Sequence, residues 1–404
     1  MSIAAIACGL LTLSLWLRAA RPELPSTPVN RAALGWFLAL LASATFALAP
    51  SASLPRVSKA LFPALVPLAA LHTPNARSGR RVLGLLLLSS AVASLYGTII
   101  FLARGASIAS RARGPVGHYM TFGGQLLLVL SVAIPIAVLG RGWRWRLGAA
   151  LTSALGLAAL AATFTRSAWL GLAASLTVML AAVRPRWLPV FAVILAGLYL
   201  LAPLEYRDRL HSAFDPRHPA NLERTYMWEA GLRMFADHPV TGVGLQDLHP
   251  IYQRYRPAAA HEGAGHLHSV PIQIAATMGL LGLAAFAWLY VSLIRTAGSG
   301  LRTMLRSPDV EAGLKLGTLA GLVGFLVAGL FEWNFGDEEL LYLLFTLAGL
   351  AWSARGWRLV APSALGATPR EAAVGDLVGA GLATAGEKAS RAQPPTVAFE
   401  DGHA

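Results

Sequence analysis

Cysteine and charged residues are both scarce in this chain of 404 residues, and each scarcity excludes a kind of site or a class of protein. A single cysteine, Cys8, excludes a disulfide framework and a metal site built from thiolates. Charged residues make up only 13% of the sequence, whereas 55% of the residues are hydrophobic. Soluble domains carry about a quarter charged residues. A soluble core cannot cover this much apolar surface, so the composition predicts a protein embedded in lipid.

The apolar residues are grouped into runs, separated by short polar breaks, and a helix needs roughly 20 such residues to cross a bilayer. The predicted fold class is therefore all-α, a polytopic membrane protein with about eleven transmembrane helices, within a range of roughly ten to twelve. The predicted spans are 2–17, 32–50, 58–72, 82–103, 117–139, 146–164, 167–183, 187–203, 269–294, 313–332 and 338–354.

Orientation follows from the basic residues, which number 33 against 20 acidic ones. Such a surplus can indicate nucleic-acid binding, but here it lies mostly in short loops, where it indicates the cytoplasmic side instead. We therefore expect no nucleic-acid partner. The loops placed in the cytoplasm contain Arg18, Arg21, Arg31, Arg77, Arg80, Arg81, Arg141, Arg144, Arg146, Arg184, Arg186, Arg295, Arg302, Arg306 and Lys315.

The opposite set of connections is then external, and it includes one large loop, 204–268, and the acidic turn 332–338. Residues 1–355 form the predicted transmembrane domain. Residues 356–404 are poor in large apolar residues and predict a disordered cytoplasmic tail. The external segment 104–116 breaks the charge rule, because it contains Arg104, Arg111 and Arg113. Either the charge rule fails locally, or these arginines bind an anion.

Three further places carry polar residues at the external face. Arg166 lies between two apolar runs with almost no loop, where a charge either reaches lipid phosphates or has a functional role. Arg224 and Trp228 are four residues apart on one face of a helix predicted over 222–236. That helix stops at Pro239, and Gly242 with Gly244 predicts a tight turn or a close backbone approach.

The third place is the segment 261–269, which contains three histidines and a glutamate. His266, His268 and Ser269 open the next span. The spacing is unlike the helical pairs of zinc motifs, so we expect no metal; His268 is a candidate general base. For His261 an ordinary hydrated histidine is the simpler interpretation.

The order of these motifs resembles the O-antigen ligase and polymerase superfamily of bacterial envelope glycosyltransferases. The resemblance covers residues 80–355 and depends on order and spacing more than on any one motif. The matching elements are Thr165–Gly171, Arg224 with Trp228, His238–Gly244, His266–Ser269 and Gly279–Leu283. One departure is Ser269, which stands where the family usually has asparagine after the histidine.

The resemblance implies a fold like that of the C-type glycosyltransferases and a location in the bacterial inner membrane, with the active site facing the periplasm. It implies transfer of a glycan from undecaprenyl diphosphate to an acceptor hydroxyl, on lipid A-core for a ligase or on another glycan for a polymerase. It also implies a metal-independent, inverting reaction that needs no cofactor.

The resemblance assigns phosphate binding to Arg166 and Arg224. Arg111 and Arg113 are further substrate-binding candidates because of their excess charge, and His268 is the expected base or orienting group. Trp228, His266 and Ser269 are expected to support substrate binding.

Three alternatives to a ligase stay open at this point. A polymerase would use another acceptor, and an inactive scaffold would fit the departure at Ser269. A polysaccharide or lipid transporter would place its ionisable residues near the bilayer midplane. The predicted spans instead collect such residues at the external face, which favours an interfacial enzyme that contacts membrane lipids.

Overall fold

The computed structural model of the protein describes residues 25–357, and within them the chain forms helices, turns and loops without a β-strand. One of these helices, Pro50–His72, contains a long 3-10 segment, Leu54–Ala64, which includes two prolines. In chain order the helices are α1 (Pro28–Thr45), α2 (Pro50–His72), α3 (Ala76–Ala103), α4 (Tyr119–Leu139), α5 (Trp143–Ala162), α6 (Arg166–Val183), α7 (Leu188–Leu201), α8 (Leu204–Phe214), α9 (Pro219–Asp237), α10 (His249–Tyr255), α11 (Val270–Gly298), α12 (Leu301–Arg306), α13 (Val310–Gly329) and α14 (Glu338–Trp357).

Seven helical segments of the described residues are long and apolar enough to cross a membrane, namely α2 to α6, α11 with α12, and α13. An eighth is present if α7 and α8, which are bent by 118°, count as one broken span. The all-helical, multi-pass class is confirmed, and every predicted span from 32–50 onward coincides with a helix. The count of eleven is not confirmed, since α1 and α14 are not among the seven. The span 2–17 and the tail beyond residue 357 lie outside the described residues.

Helix α13 is the central helix of the bundle and packs against α4 and α6 through small residues. A Cβ atom added at Gly317 would meet the backbone of α4, and one added at Gly324 would meet the backbone of Gly171 on α6. Such close approach of backbones is how helices associate in lipid, where hydrophobic burial drives little packing. Gly171 is therefore a packing residue at the contact between α6 and α13.

The segments predicted to lie on one side of the membrane meet at one end of the bundle, here called the loop end (residues 46–59, 104–118, 163–165, 202–269 and 330–337). The backbone N–H of Ala112 donates to the carbonyl of Ala162 at 2.9 Å, and the ammonium of Lys59 donates to the carbonyl of Gly336 at 3.3 Å. At the opposite end, the Nη2 atom of Arg141 donates to the hydroxyl of Ser307 at 2.8 Å. The predicted alternation of loops is thus present in the fold, and the compartment that each end faces stays a prediction.

Lys315 differs from its expected place in a cytoplasmic loop. Lys315 is the sixth residue of α13, which begins at Val310, and it is fully buried. Its ammonium donates to the carbonyls of Ala351 at 2.8 Å and Thr296 at 3.3 Å, which compensates for the loss of water. The placement of Lys315 in a cytoplasmic loop is therefore wrong, because it lies inside a span.

Helix α11 is broken at Gly279, where φ is +62°, and the loop after α9 fills the break. Backbone N–H groups of residues 280 and 281 donate to the carbonyls of Pro239 and Val240, at 2.8 and 3.2 Å. In the other direction, residues 243 and 244 donate to the carbonyls of Ala276 and Thr277, at 2.9 and 3.0 Å. The two glycine motifs that carried the family resemblance therefore pair with each other and anchor the large loop to the bundle.

Gly242 explains why that approach is so close. Its φ is +69°, and an added Cβ atom would overlap the backbone of Thr277. The close backbone approach predicted from the spacing of Gly242 and Gly244 is confirmed.

Candidate active site

Glu332, on the turn between α13 and α14, lies at the centre of a polar cluster at the loop end. Its two carboxylate oxygens lie 3.0 and 3.2 Å from the Nδ1 atom of His268. The Nη2 atom of Arg224 lies 3.5 Å from Oε2 of Glu332, and the Nε2 atom of His266 lies 3.7 Å from Oε1. The two imidazole rings are 4.2 Å apart. Three of the sequence-predicted residues thus surround one carboxylate.

The charge state of Glu332 follows from these neighbours. Burial by itself would raise the pKa of the Glu332 carboxyl, but the adjacent imidazoles of His266 and His268 and the charge of Arg224 hold its pKa well below the usual range. The carboxylate is therefore ionised and acts only as an acceptor. It follows that the Nδ1 atom of His268 carries a proton, which leaves Nε2 as the acceptor nitrogen when the ring is neutral.

The backbone of His268 is held in an unusual conformation, with φ at +46°. Residues outside glycine seldom adopt this region, and they persist there only when their surroundings fix them. The preceding residue, Leu267, is fixed on both sides, because its N–H donates to the amide oxygen of Gln273 at 2.8 Å and its carbonyl accepts from the indole of Trp228 at 3.0 Å. Trp228 therefore positions the histidine segment in this structure.

Ser269 follows His268 at the N-cap of α11 and is buried, with 2% of its surface exposed. Its carbonyl accepts from the backbone N–H of Gln273 at 2.8 Å, and its side chain makes no capping hydrogen bond. Ser269 therefore stabilises the first turn of α11, directly after His268, through its backbone carbonyl and not through its side chain.

Arg166 begins α6 at the loop end, directly after a turn in which Phe164 has a φ of +52°. Its guanidinium donates to the hydroxyl of Ser212 at 3.1 Å and to the amide oxygen of Asn221 at 3.0 Å. Both partners are neutral, so its positive charge is not neutralised by them. Asn221 lies one turn before Arg224 on α9. This contact therefore places Arg166 beside the polar cluster around Glu332.

Four guanidinium groups converge here. Arg224 and Arg111 both act electrostatically on Arg166, and all three act on Arg209, a half-buried residue of α8. Arg209 donates to the carbonyl of Phe164 at 3.4 Å, and Arg111 lies over the ring of Tyr119, 4.5 Å from its centre. This group of four, here called the arginine cluster, offers positive charge to an anion.

The sequence-predicted residues are distributed unevenly around this site. Arg111, Arg166, Arg224, His266 and His268 come together, whereas Arg113 is exposed to solvent.

Sequence reasoning missed Glu332 and Arg209. The acidic turn 332–338 was interpreted only as a marker of topology, and Arg209 was one of several arginines in the large loop. An acidic residue next to the end of a span was the available signal for Glu332.

The same cluster has the donor atoms of a metal site. One nitrogen each from His266 and His268 and one oxygen of Glu332 lie within 4.8 Å of one another. However, the carboxylate already accepts from Nδ1 of His268 and lies beside Arg224, and a divalent cation would be repelled by the arginine cluster. The arrangement therefore fits an ion-pair network that orients an imidazole better than it fits a metal centre.

Comparison with known proteins points to one family. Residues 151–287 match the family model described as O-antigen ligase, and this range contains Arg166, Arg209, Arg224 and His268. Arg111 and Glu332 lie outside it. A search of curated proteins found no match. The match supports the superfamily of O-antigen ligases and polymerases, glycosyltransferase-like enzymes of polysaccharide biosynthesis in bacterial membranes.

Proposed function

With a multi-pass helical bundle and a match to the O-antigen ligase family as premises, we propose that the protein transfers a glycan from undecaprenyl diphosphate to an acceptor hydroxyl. The reaction takes place at the loop end, which faces the periplasm of a bacterial inner membrane. The observation that carries the proposal is the joint placement of the arginine cluster and the His268–Glu332 pair.

The arginine cluster suits the donor. As the bond between the anomeric carbon and the diphosphate breaks, negative charge develops on the phosphate oxygens, and fixed cations stabilise it. Arg166 has only neutral partners, so its charge is available to a ligand. Guanidinium groups bind phosphate through two parallel hydrogen bonds, which would allow the reaction to proceed without a metal.

His268 suits the acceptor. With Nδ1–H donated to Glu332, the Nε2 atom can take the proton of the acceptor hydroxyl as its oxygen attacks the anomeric carbon. The carbon–oxygen bond to the diphosphate breaks, and its electron pair leaves on the phosphate oxygen. The resulting imidazolium is stabilised by the carboxylate of Glu332. A single displacement of this kind inverts the configuration at the anomeric carbon.

The acceptor distinguishes a ligase from a polymerase. A ligase would use the outer core of lipid A, and a polymerase would use the sugar end of another lipid-linked repeat. We propose the ligase reaction, in line with the description of the matching family. A polysaccharide or lipid transporter is the weaker interpretation, because the ionisable residues of the site lie at the loop end and not at the middle of the spans.

Gene deletion with complementation tests the proposal. Wild type should restore polymer attached to lipid A, and Arg224→Ala and His268→Ala should fail, with lipid-linked polymer accumulating. Matched controls are Arg233→Ala, an exposed arginine on the same helix that pairs with Glu229 at 2.5 Å, and His261→Ala in the same loop. Both controls should complement.

Three results would count against parts of this assignment. Full complementation by Arg224→Ala and His268→Ala would overturn the catalytic roles. If the deletion strain carries only a single repeat unit on its lipid A, the protein is a polymerase and not a ligase. Loss of transfer by the purified protein in EDTA, with recovery on adding a divalent cation, would overturn metal independence.

A further inference from the structure

A cavity of about 250 Å³ lies at the loop end, between α1, α2, the start of α11 and the turn before α14. None of the four residues of the arginine cluster lines it. Aromatic and aliphatic side chains line it together with charged and amide side chains. The aromatic residues are Trp36, Phe62, Trp333, Phe335 and Phe345, and the polar residues are Arg56, Lys59, Gln246, Asp247, Gln273 and Thr277.

The cavity shares a wall with the candidate active site. Gly265 and Trp333 line the cavity, and each directly adjoins a residue of the polar cluster, His266 and Glu332. Gln273 also lines it, and its amide oxygen accepts from the backbone N–H that precedes His268. A ligand in the cavity would therefore be separated from the imidazole of His268 by the short chain segment that begins at Gly265.

The chemistry of the lining differs from that of the arginine cluster. Arg56 and Asp247 are both exposed at the rim, so charges of both signs are present. Lys59 donates to the carbonyl of Gly336 at 3.3 Å and lies 3.8 Å from Glu338, so its charge is partly balanced. Such a rim does not select a diphosphate. Donors and acceptors around aromatic rings suit a sugar, whose ring has an apolar face and hydroxyls that both donate and accept.

We propose that this cavity binds a saccharide unit of the acceptor, next to the sugar whose hydroxyl reacts. The inference rests on the proposed function and extends it, because it separates the two substrates in space. The donor diphosphate lies at the arginine cluster, and the acceptor glycan lies on the other side of the segment that carries His266 and His268.

Gly265 offers a direct test. A Cβ atom added there meets nothing within 4 Å, so Gly265→Trp should fill the cavity mouth without disturbing the backbone. Gly298→Trp is the matched control, because Gly298 also has open space around it and lies at the opposite end of α11. Asp247→Ala is a second variant that alters the rim at a residue that adjoins neither His266 nor His268, although it also removes the hydrogen bond from the backbone N–H of His249 to the Asp247 carboxylate at 3.1 Å.

The assay is glycan transfer by the full-length protein in nanodiscs, with purified lipid-linked donor and deacylated lipid A-core oligosaccharide as acceptor. Gly265→Trp should raise the KM for the acceptor by about tenfold or more, with the donor KM unchanged, and Asp247→Ala should raise it by a smaller factor. Gly298→Trp should behave as wild type.

Calorimetric binding of the same oligosaccharide, measured alongside, should weaken in the same order. Unchanged acceptor KM and affinity in Gly265→Trp and Asp247→Ala would overturn the cavity assignment, as would an equal rise in both KM values. Absence of transfer in wild type would instead defeat the proposed function, and the binding measurement would still decide the cavity.

Discussion

Replacing Glu332 by glutamine tests the centre of the proposed mechanism. The substitution keeps the size of the side chain and one acceptor oxygen but removes the negative charge beside His268 and Arg224. The side chain of Glu332 is only 11% exposed and that of His268 only 22%, so solvent screens this interaction weakly.

The magnitude follows from the geometry. The carboxylate lies 3.0 Å from Nδ1 of His268, and two charges about 4 Å apart at an effective dielectric constant of about 20 attract by about 4 kcal/mol. This attraction exists only once the imidazole has taken a proton, so it stabilises the transition state more than the ground state. Glutamine can still accept one hydrogen bond. We therefore expect kcat to fall about 10²–10³-fold.

The assay is the initial rate of transfer by the purified protein, with the melting temperature measured in the same detergent. Glu339→Gln is the matched control, because Glu339 directly follows the acidic turn, in the first turn of α14, and is exposed. Glu332→Asp should recover part of the lost kcat, which a purely structural role for the side chain would not predict. A folded Glu332→Gln protein whose kcat stays within about threefold of wild type would refute the reasoning.

Two further predictions concern stability. Gly242→Ala should lower the free energy of unfolding by roughly 2–5 kcal/mol, since it adds backbone strain and an overlap with Thr277. The control is Gly105→Ala, at a glycine with a φ of +89° and open space around it, which should lower the free energy of unfolding by only about 1–2 kcal/mol. Thermal or denaturant unfolding measures both. The lowered pKa of Glu332 gives stability that is complete above its unfolded pKa, near 4.5, and is lost as the pH falls toward the lower folded-state pKa. The melting temperature of wild type should therefore drop more steeply below about pH 5 than that of Glu332→Gln, and parallel curves would contradict this.

The helical class and the alternation of loops could be predicted because they depend on local properties. In lipid a spanning segment must satisfy its own backbone hydrogen bonds, so each apolar run has one stable form. The same holds for the helix Pro219–Asp237 and for the glycine turn after Pro239, which depend on propensity and backbone freedom within a few residues.

The partners of the site residues could not be predicted in this way. His268 and Glu332 are 64 positions apart in the chain, and their contact exists because α11 and α13 bring their ends to the same place. Arg209 joins the arginine cluster only because α8 folds back toward the turn before α6. No local pattern distinguishes these residues from other glutamates and arginines near a membrane surface.

The sequence by itself determined a bundle of lipid-embedded helices and the order of its loops, and it singled out the arginines and the histidine that we propose for the site. The tertiary structure alone decided that Glu332 orients His268, that Lys315 is buried inside a helix, and that an aromatic cavity adjoins the histidine segment. The physical reason is that periodicity and hydropathy act over a few residues, whereas the position of a charge relative to its partner depends on how distant helices pack.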